Sequence, residues 1–84
     1  MALGLANRIT HTRLMIMSYY LLIERDTGAS PWFVNFGDSD KECVEFERED
    51  VADHGALKRN LKIVKFARVP TQAQIDAKLA ELNA

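Results

Sequence analysis

Residues 18–25 read Ser18-Tyr-Tyr-Leu-Leu-Ile-Glu-Arg25, and this stretch decides the fold. It is rich in aromatic and branched side chains and is too short for a typical helix, so it predicts a β-strand. It is also the most apolar of the candidate strands. We therefore expect it to lie in the middle of a sheet.

Two further strands are predicted downstream of this one. Asp26-Thr-Gly-Ala-Ser-Pro31 combines Asp, Gly and Pro within one short stretch, which predicts a turn that closes a hairpin. Trp32-Phe-Val-Asn-Phe36 then forms the second strand, antiparallel to the first. Leu61-Lys-Ile-Val-Lys-Phe66 predicts a third strand for the same reasons as the first.

The first predicted helix has a start and a stop signal. Ser39-Asp-Lys-Glu42 matches a capping box, in which a serine and a glutamate three residues later satisfy each other's backbone amides. Gly55 supplies the stop, because glycine reaches the left-handed conformation without strain. The helix is expected to span residues 40–53. One broad arc of it is predicted to be buried, namely Cys43, Val44, Phe46 and Val51.

A second helix is predicted near the end of the chain. Pro70 and Thr71 open it, and Thr71 forms another capping box with Gln74. An apolar stripe at helical spacing is expected to dock on the sheet; it consists of Ile75, Leu79 and Leu82.

These elements predict an α+β fold in the order β-β-α-β-α. The helical crossover sets the third strand parallel to the second, so the expected order in space is second, first, third. This is a split βαβ arrangement in a small mixed three-stranded sheet with two helices. The 84-residue chain is long enough for one domain, which we assign to residues 18–84. Residues 1–17 are expected to form an N-terminal extension, either mobile or partly continuing the first strand.

Composition excludes several classes of protein. The formal net charge of −1 argues against a general nucleic-acid binder. Cys43 is the only cysteine, so no intrachain disulfide or thiolate-rich metal site is expected. The longest apolar run, Leu14–Ile23, is about half of the roughly 20 residues that a spanning helix needs. We expect a cytoplasmic protein that does not contact membranes.

Candidate catalytic and metal-binding residues have simpler structural explanations. Asp38, Asp40, Glu42 and Glu49 have the spacing of calcium-loop ligands, but Cys43 stands where the sharp turn requires glycine. His54 precedes a helix stop, where an imidazolium interacts with the last carbonyls. We therefore expect no catalytic residue, no metal and no cofactor.

Charge is distributed unevenly along the chain. Residues 38–53 hold eight acidic and two basic residues, a net of −6, whereas residues 58–84 carry a net of +4. A solvated helix explains this pattern without any partner. The functional interpretation is an acidic helix that steers a basic protein partner through Glu45 and Glu49.

Both faces of the predicted sheet are apolar. Alternation places one set of side chains together and a second set on the opposite face. The first set comprises Tyr19, Leu21, Ile23, Trp32, Val34 and Phe36, and the second comprises Tyr20, Leu22 and Phe33. If both helices pack on the first face, the second contacts the extension, a second subunit or a target. We favour a homodimer or a protein partner at Tyr20, Leu22 and Phe33.

The alternative function is a small single-stranded nucleic-acid-binding domain. Its basic groups are Lys58, Arg59, Lys62, Lys65 and Arg68, and its stacking groups are Tyr20, Phe33 or Phe66. The net charge makes nucleic acid the less favoured partner.

One resemblance supports the protein-binding interpretation. Trp32-Phe-Val-Asn-Phe-Gly-Asp-Ser-Asp-Lys-Glu42, with the acidic residues that follow and Leu61-Lys-Ile-Val64, resembles short open reading frames of tailed bacteriophages and prophages. The resemblance covers residues 18–66 and includes no catalytic motif. It implies an accessory protein that binds and modifies a host protein. The sequence therefore predicts a small, non-enzymatic protein-binding or regulatory module.

Overall fold

The computed structural model describes residues 18–84 and contains three strands and two helices. The elements are β1 (Tyr19–Glu24), β2 (Phe33–Asp38), α1 (Lys41–Asp53), β3 (Leu61–Phe66) and α2 (Gln72–Leu82). A short 3₁₀ turn that the sequence did not predict, Lys58–Asn60, precedes β3. The α+β class and the order β-β-α-β-α are confirmed. The expected extension, residues 1–17, lies outside the described residues.

The three strands form one sheet in the order β2-β1-β3, as predicted. β1 pairs with both neighbours antiparallel, and Tyr20 lies opposite Asp38 on one side and Lys65 on the other. The prediction of a mixed sheet is wrong in one respect. β2 and β3 run in the same direction, but β1 separates them, so the sheet contains no parallel pair.

A β-bulge interrupts the pairing of β1 with β2. Leu22 lies opposite Phe36, whereas the next residue, Ile23, lies opposite Val34, so Asn35 is an extra residue in β2. Phe36 consequently shares a face with Leu22, not with Val34. The prediction that Trp32, Val34 and Phe36 lie on one face is therefore wrong, because simple alternation does not hold across a bulge.

The core lies between α1 and one face of the sheet. Leu22 and Val44 are both fully buried, and Leu61 joins them. Partly buried side chains surround this cluster: Tyr20, Phe36, Val51, Ala52, Ala56 and Ile63. On the opposite face of β1, Leu21 and Ile23 are also buried. The expectation that the face bearing Tyr20 and Leu22 is left uncovered is wrong, because α1 packs directly on it.

α1 begins one residue later than the sequence predicted. Its N-cap is Asp40, whose carboxylate accepts a hydrogen bond from the Glu42 N–H at 2.9 Å, and not Ser39. Asp38 in turn accepts from the Asp40 N–H at 2.8 Å. The predicted stop is confirmed: Gly55 has a φ of 117°, a conformation that side chains other than glycine rarely adopt.

α2 begins with the predicted capping box. The Gln74 N–H donates to the Thr71 hydroxyl at 3.1 Å, and the Thr71 N–H donates to the Gln74 side chain at 2.9 Å. The predicted stripe of Ile75, Leu79 and Leu82 is half-buried, and no residue of α2 is fully buried. α1 thus makes the main helix–sheet interface, while α2 packs more loosely.

Candidate functional site

Phe46 lies on the outer face of α1 and is 76% exposed. Among the described residues it is the most exposed large hydrophobic side chain; the next is Val69 at 63%. The sequence predicted Phe46 to be buried, and this was wrong. Val44 and Val51 are seven positions apart and share the inward stripe, whereas Phe46 is about 200° around the helix from Val44. Phe46 therefore points away from the core.

Acidic side chains surround Phe46 on the helix surface. Glu42 is one turn before it, and Glu49 and Asp50 are one turn after it, at the spacings that bring helical side chains together. We call this surface the acidic face and define it by the exposed residues Glu42, Glu45, Phe46, Glu49, Asp50 and Asp53. It combines a bulky apolar centre with a negative border.

Internal ion pairs neutralise part of the acidic face. Glu49 lies 3.0 Å from the ammonium of Lys58 and 3.7 Å from Arg48, and Glu45 lies 3.8 Å from Lys41. The hydrogen bond from Lys58 lowers the pKa of Glu49. Glu42 and Asp53 have no such basic partner within residues 18–84. The uncompensated charge therefore lies toward the two ends of the helix.

The structure separates the five side chains that the sequence assigned to partner binding. Glu45 and Glu49 are exposed on α1, as that assignment requires. Leu22 is fully buried beneath α1 and is not available to a partner, and Tyr20 packs against the same core. Phe33 lies on the edge strand β2 and is 43% exposed. These residues do not form one continuous surface.

His54 ends α1 by hydrogen bonding, in agreement with the sequence. One ring nitrogen, Nδ1, lies 2.7 Å from the Asp50 carbonyl oxygen and 3.8 Å from the Asp50 carboxylate. The bond to the carbonyl, followed by the charge of Asp50, raises the pKa of His54. This arrangement stabilises the last turn of the helix, where the carbonyls carry partial negative charge.

Cys43 is exposed rather than buried, contrary to prediction. Its thiol lies 3.6 Å from the Asp40 carboxylate. Partial desolvation and the Asp40 charge raise the pKa of the thiol, which disfavours the reactive thiolate. No three His, Cys, Asp or Glu side chains of residues 18–84 converge in an arrangement that could hold a metal ion.

A shallow cleft of about 380 Å³ lies beside Trp32, between the β1–β2 connection and the end of α2. The guanidinium of Arg25 stacks over the Trp32 ring at 4.5 Å. It also donates to the Asn60 side chain at 3.0 Å and to the carbonyl oxygens of Gly28 and Arg59. The polar groups of Arg25 are thus committed to internal contacts, so the cleft offers little chemistry to a ligand.

The basic residues that the sequence assigned to nucleic-acid binding are partly engaged in internal contacts. Lys58 pairs with Glu49, and the ammonium of Lys62 lies over Trp32 at 5.6 Å. Tyr20 packs in the core, and Phe33 lies on β2, at the edge opposite β3. Phe33 is therefore separated from the basic groups of β3, whereas Phe66 lies on β3 itself next to Lys65, and Tyr20 is the register partner of Lys65.

Comparison with known proteins identifies no relative. No protein-family model, curated protein or solved structure matches this chain. None of the helices within residues 18–84 has the length and apolar character to span a membrane. The functional argument consequently rests on the surface of the molecule.

Proposed function

We propose that this protein is a non-enzymatic protein-binding module and that the acidic face of α1 is its contact surface. The observation that carries the proposal is the exposure of Phe46 at the centre of that face. Burying a phenylalanine side chain contributes about 1.5–3 kcal/mol, and residues 18–84 leave most of this contribution unused at Phe46. Aromatic residues are enriched at the centres of protein interfaces for this reason.

The charges around Phe46 favour recognition of a partner protein more than they favour stability of the fold. Eight of the 13 residues of α1 are acidic or basic, and six of these are acidic. Five of the acidic residues surround the exposed Phe46 on the acidic face: Glu42, Glu45, Glu49, Asp50 and Asp53. Concentrated negative charge accelerates association with a positive partner and discourages negative ones. The same charge opposes self-association of two acidic faces.

The resemblance to bacteriophage and prophage reading frames indicates which class of partner to expect. It implies a host protein as the target. We therefore expect the module to modulate a host protein by occupying a positively charged surface of it.

An affinity experiment with a matched control tests this function. The wild-type protein and the variants Phe46→Ser and Val69→Ser are immobilised and exposed to a bacterial lysate, and the bound proteins are identified by mass spectrometry. Val69 is the control because it is similarly exposed but lies outside α1. We expect a partner that is retained by Val69→Ser and lost by Phe46→Ser. Equal capture by all three proteins would contradict the role of the acidic face.

A homodimer remains a separate prediction. Of the predicted patch of Tyr20, Leu22 and Phe33, the side chain that stays exposed is Phe33 on the edge strand β2, at 43%. Light scattering on wild-type protein and on Phe33→Asp tests this prediction. A dimer that the substitution dissociates would support it, and a monomeric wild type would remove it.

A further inference from the structure

The acidic face has a spatial pattern that restricts its partner. With a rise of about 1.5 Å per residue, Glu42 lies about 6 Å from Phe46 along the helix axis, and Asp53 lies about 10 Å away in the other direction. Within residues 18–84 neither of these side chains has a basic partner, and the partner of Asp50, the His54 ring at 3.8 Å, is charged only when it is protonated. The face therefore presents one apolar anchor between two unneutralised negative positions.

The remaining acidic positions are less available to a partner. Glu49 already contacts Lys58 at 3.0 Å, and Glu45 contacts Lys41 at 3.8 Å. A partner that paired with either would compete with these internal contacts. Glu45 and Glu49, which the sequence proposed for partner binding, lie on the acidic face but are not its charges without an internal partner.

A second copy of the same face is a poor occupant of this surface. Two acidic faces in contact would bring together two segments that each carry a net charge of −6. Like charges at an interface suppress association. Nucleic acid is disfavoured on the same ground, because its phosphates are also negative.

We infer that the acidic face binds a basic amphipathic segment of another protein, with a bulky apolar side chain seated on Phe46. Basic side chains on either side of that apolar residue pair with Glu42 and Asp53. If the partner segment is a helix, basic residues one and two turns from its apolar residue match the distances from Phe46 to Glu42 and to Asp53. This inference rests on the proposed function, because it specifies the chemistry of the partner for the same surface.

Two synthetic peptides of equal length serve as probes. The first is fluorescein-labelled and amphipathic, with a central Leu and with Lys and Arg one turn and two turns from it. The second is identical except that Gln replaces every Lys and Arg. Binding of each to the full chain is measured by fluorescence anisotropy at low and at physiological salt.

Two pairs of protein variants separate the apolar and the charged contributions. Phe46→Ser is compared with Val69→Ser, which removes an exposed apolar side chain elsewhere. The double variant Glu42→Gln/Asp53→Asn removes two negative charges from the acidic face. Its control is the double variant Asp76→Asn/Glu81→Gln, which removes two negative charges from α2. Circular dichroism establishes that every variant is folded.

We expect the basic peptide to bind the wild type at least about tenfold more tightly than its Gln counterpart. Phe46→Ser should weaken binding about tenfold, and the Glu42 and Asp53 double variant should weaken it and reduce its salt dependence. The two control proteins should bind like the wild type.

Each contrary result has a distinct meaning. Equal binding of both peptides, with loss in Phe46→Ser, would overturn the basic partner class but leave the proposed surface intact. Binding of the basic peptide that is unchanged in Phe46→Ser would show non-specific charge attraction and overturn the inference. Binding of neither peptide would overturn it as well, and the lysate experiment with Phe46→Ser would then decide the proposed function independently.

Discussion

Asn83 and Trp32 are joined by two hydrogen bonds across the molecule. The Trp32 N–H donates to Oδ1 of Asn83 at 2.7 Å, and Nδ2 of Asn83 donates to the Trp32 carbonyl at 3.3 Å. Asn83 directly follows α2, and Trp32 directly precedes β2. These two hydrogen bonds hold the C-terminal end of α2, a helix with no fully buried residue, against the start of β2.

Replacing Asn83 by Ala should loosen α2. Both hydrogen bonds are lost, and a typical one contributes about 1 kcal/mol to the free energy of unfolding, so we expect a loss of about 1–2 kcal/mol in urea denaturation. Amide hydrogen exchange should accelerate in residues 72–82. Gln72→Ala, at the other end of α2, should change exchange near its own site only. Unchanged exchange throughout α2 in Asn83→Ala would contradict this role.

The N-cap of α1 gives a direct test of a residue that the sequence misassigned. Asp40→Ala should lower the free energy of unfolding by about 1 kcal/mol, because the Glu42 N–H loses its acceptor. Ser39→Ala should change it by less than about half of that amount, since Ser39 is not the cap. Urea denaturation of both variants provides the comparison. A larger effect at Ser39 would favour the capping box predicted from sequence.

The two faces of α1 should respond differently to substitution. Val44→Ala should cost about 2 kcal/mol, because it removes buried methyl groups and leaves a cavity beside Leu22. Phe46→Ser should change the free energy of unfolding by less than about 0.5 kcal/mol, since the ring is largely exposed. Thermal or urea denaturation measures both. A strongly destabilised Phe46→Ser would mean that the ring packs within the fold.

His54 should make stability depend on pH. Its pKa is raised in the folded protein above the ordinary value of 6.5, so the protonated ring favours folding. Its contribution is fully present below about pH 6.5 and is lost as the pH rises through the raised pKa of the folded state. Wild type should therefore exceed His54→Gln in stability by more at acidic than at basic pH. A difference that grows toward basic pH would have the wrong sign.

The types and order of the elements followed from local sequence signals alone. β3 spans the predicted residues, and the capping box of Thr71 and Gln74 is present as expected. Gly55 adopts the positive φ that its position after α1 predicted. These features depend on side-chain periodicity and on hydrogen bonds between residues close in sequence, so the sequence determines them without knowledge of the packed structure.

Tertiary packing decided the features that matter most for the candidate site. Ser39 and Asp40 both qualify as caps by residue type, and only the docked helix shows that the Asp40 carboxylate, and not the Ser39 hydroxyl, accepts from the Glu42 N–H. The bulge at Asn35 arises from the pairing of β2 with β1, which moves Phe36 to the side of Leu22.

The exposure of Phe46 is a further feature that the sequence pattern alone did not predict. An apolar arc that includes Val44 and Phe46 is wider than the surface that one small sheet can cover. The helix therefore buries Val44 and partly buries Val51, seven residues later, and leaves Phe46 exposed. The sequence by itself determined that the helix is acidic and amphipathic. Only the tertiary structure decided which aromatic side chain that helix leaves exposed, because burial is shared among side chains that compete for a limited core.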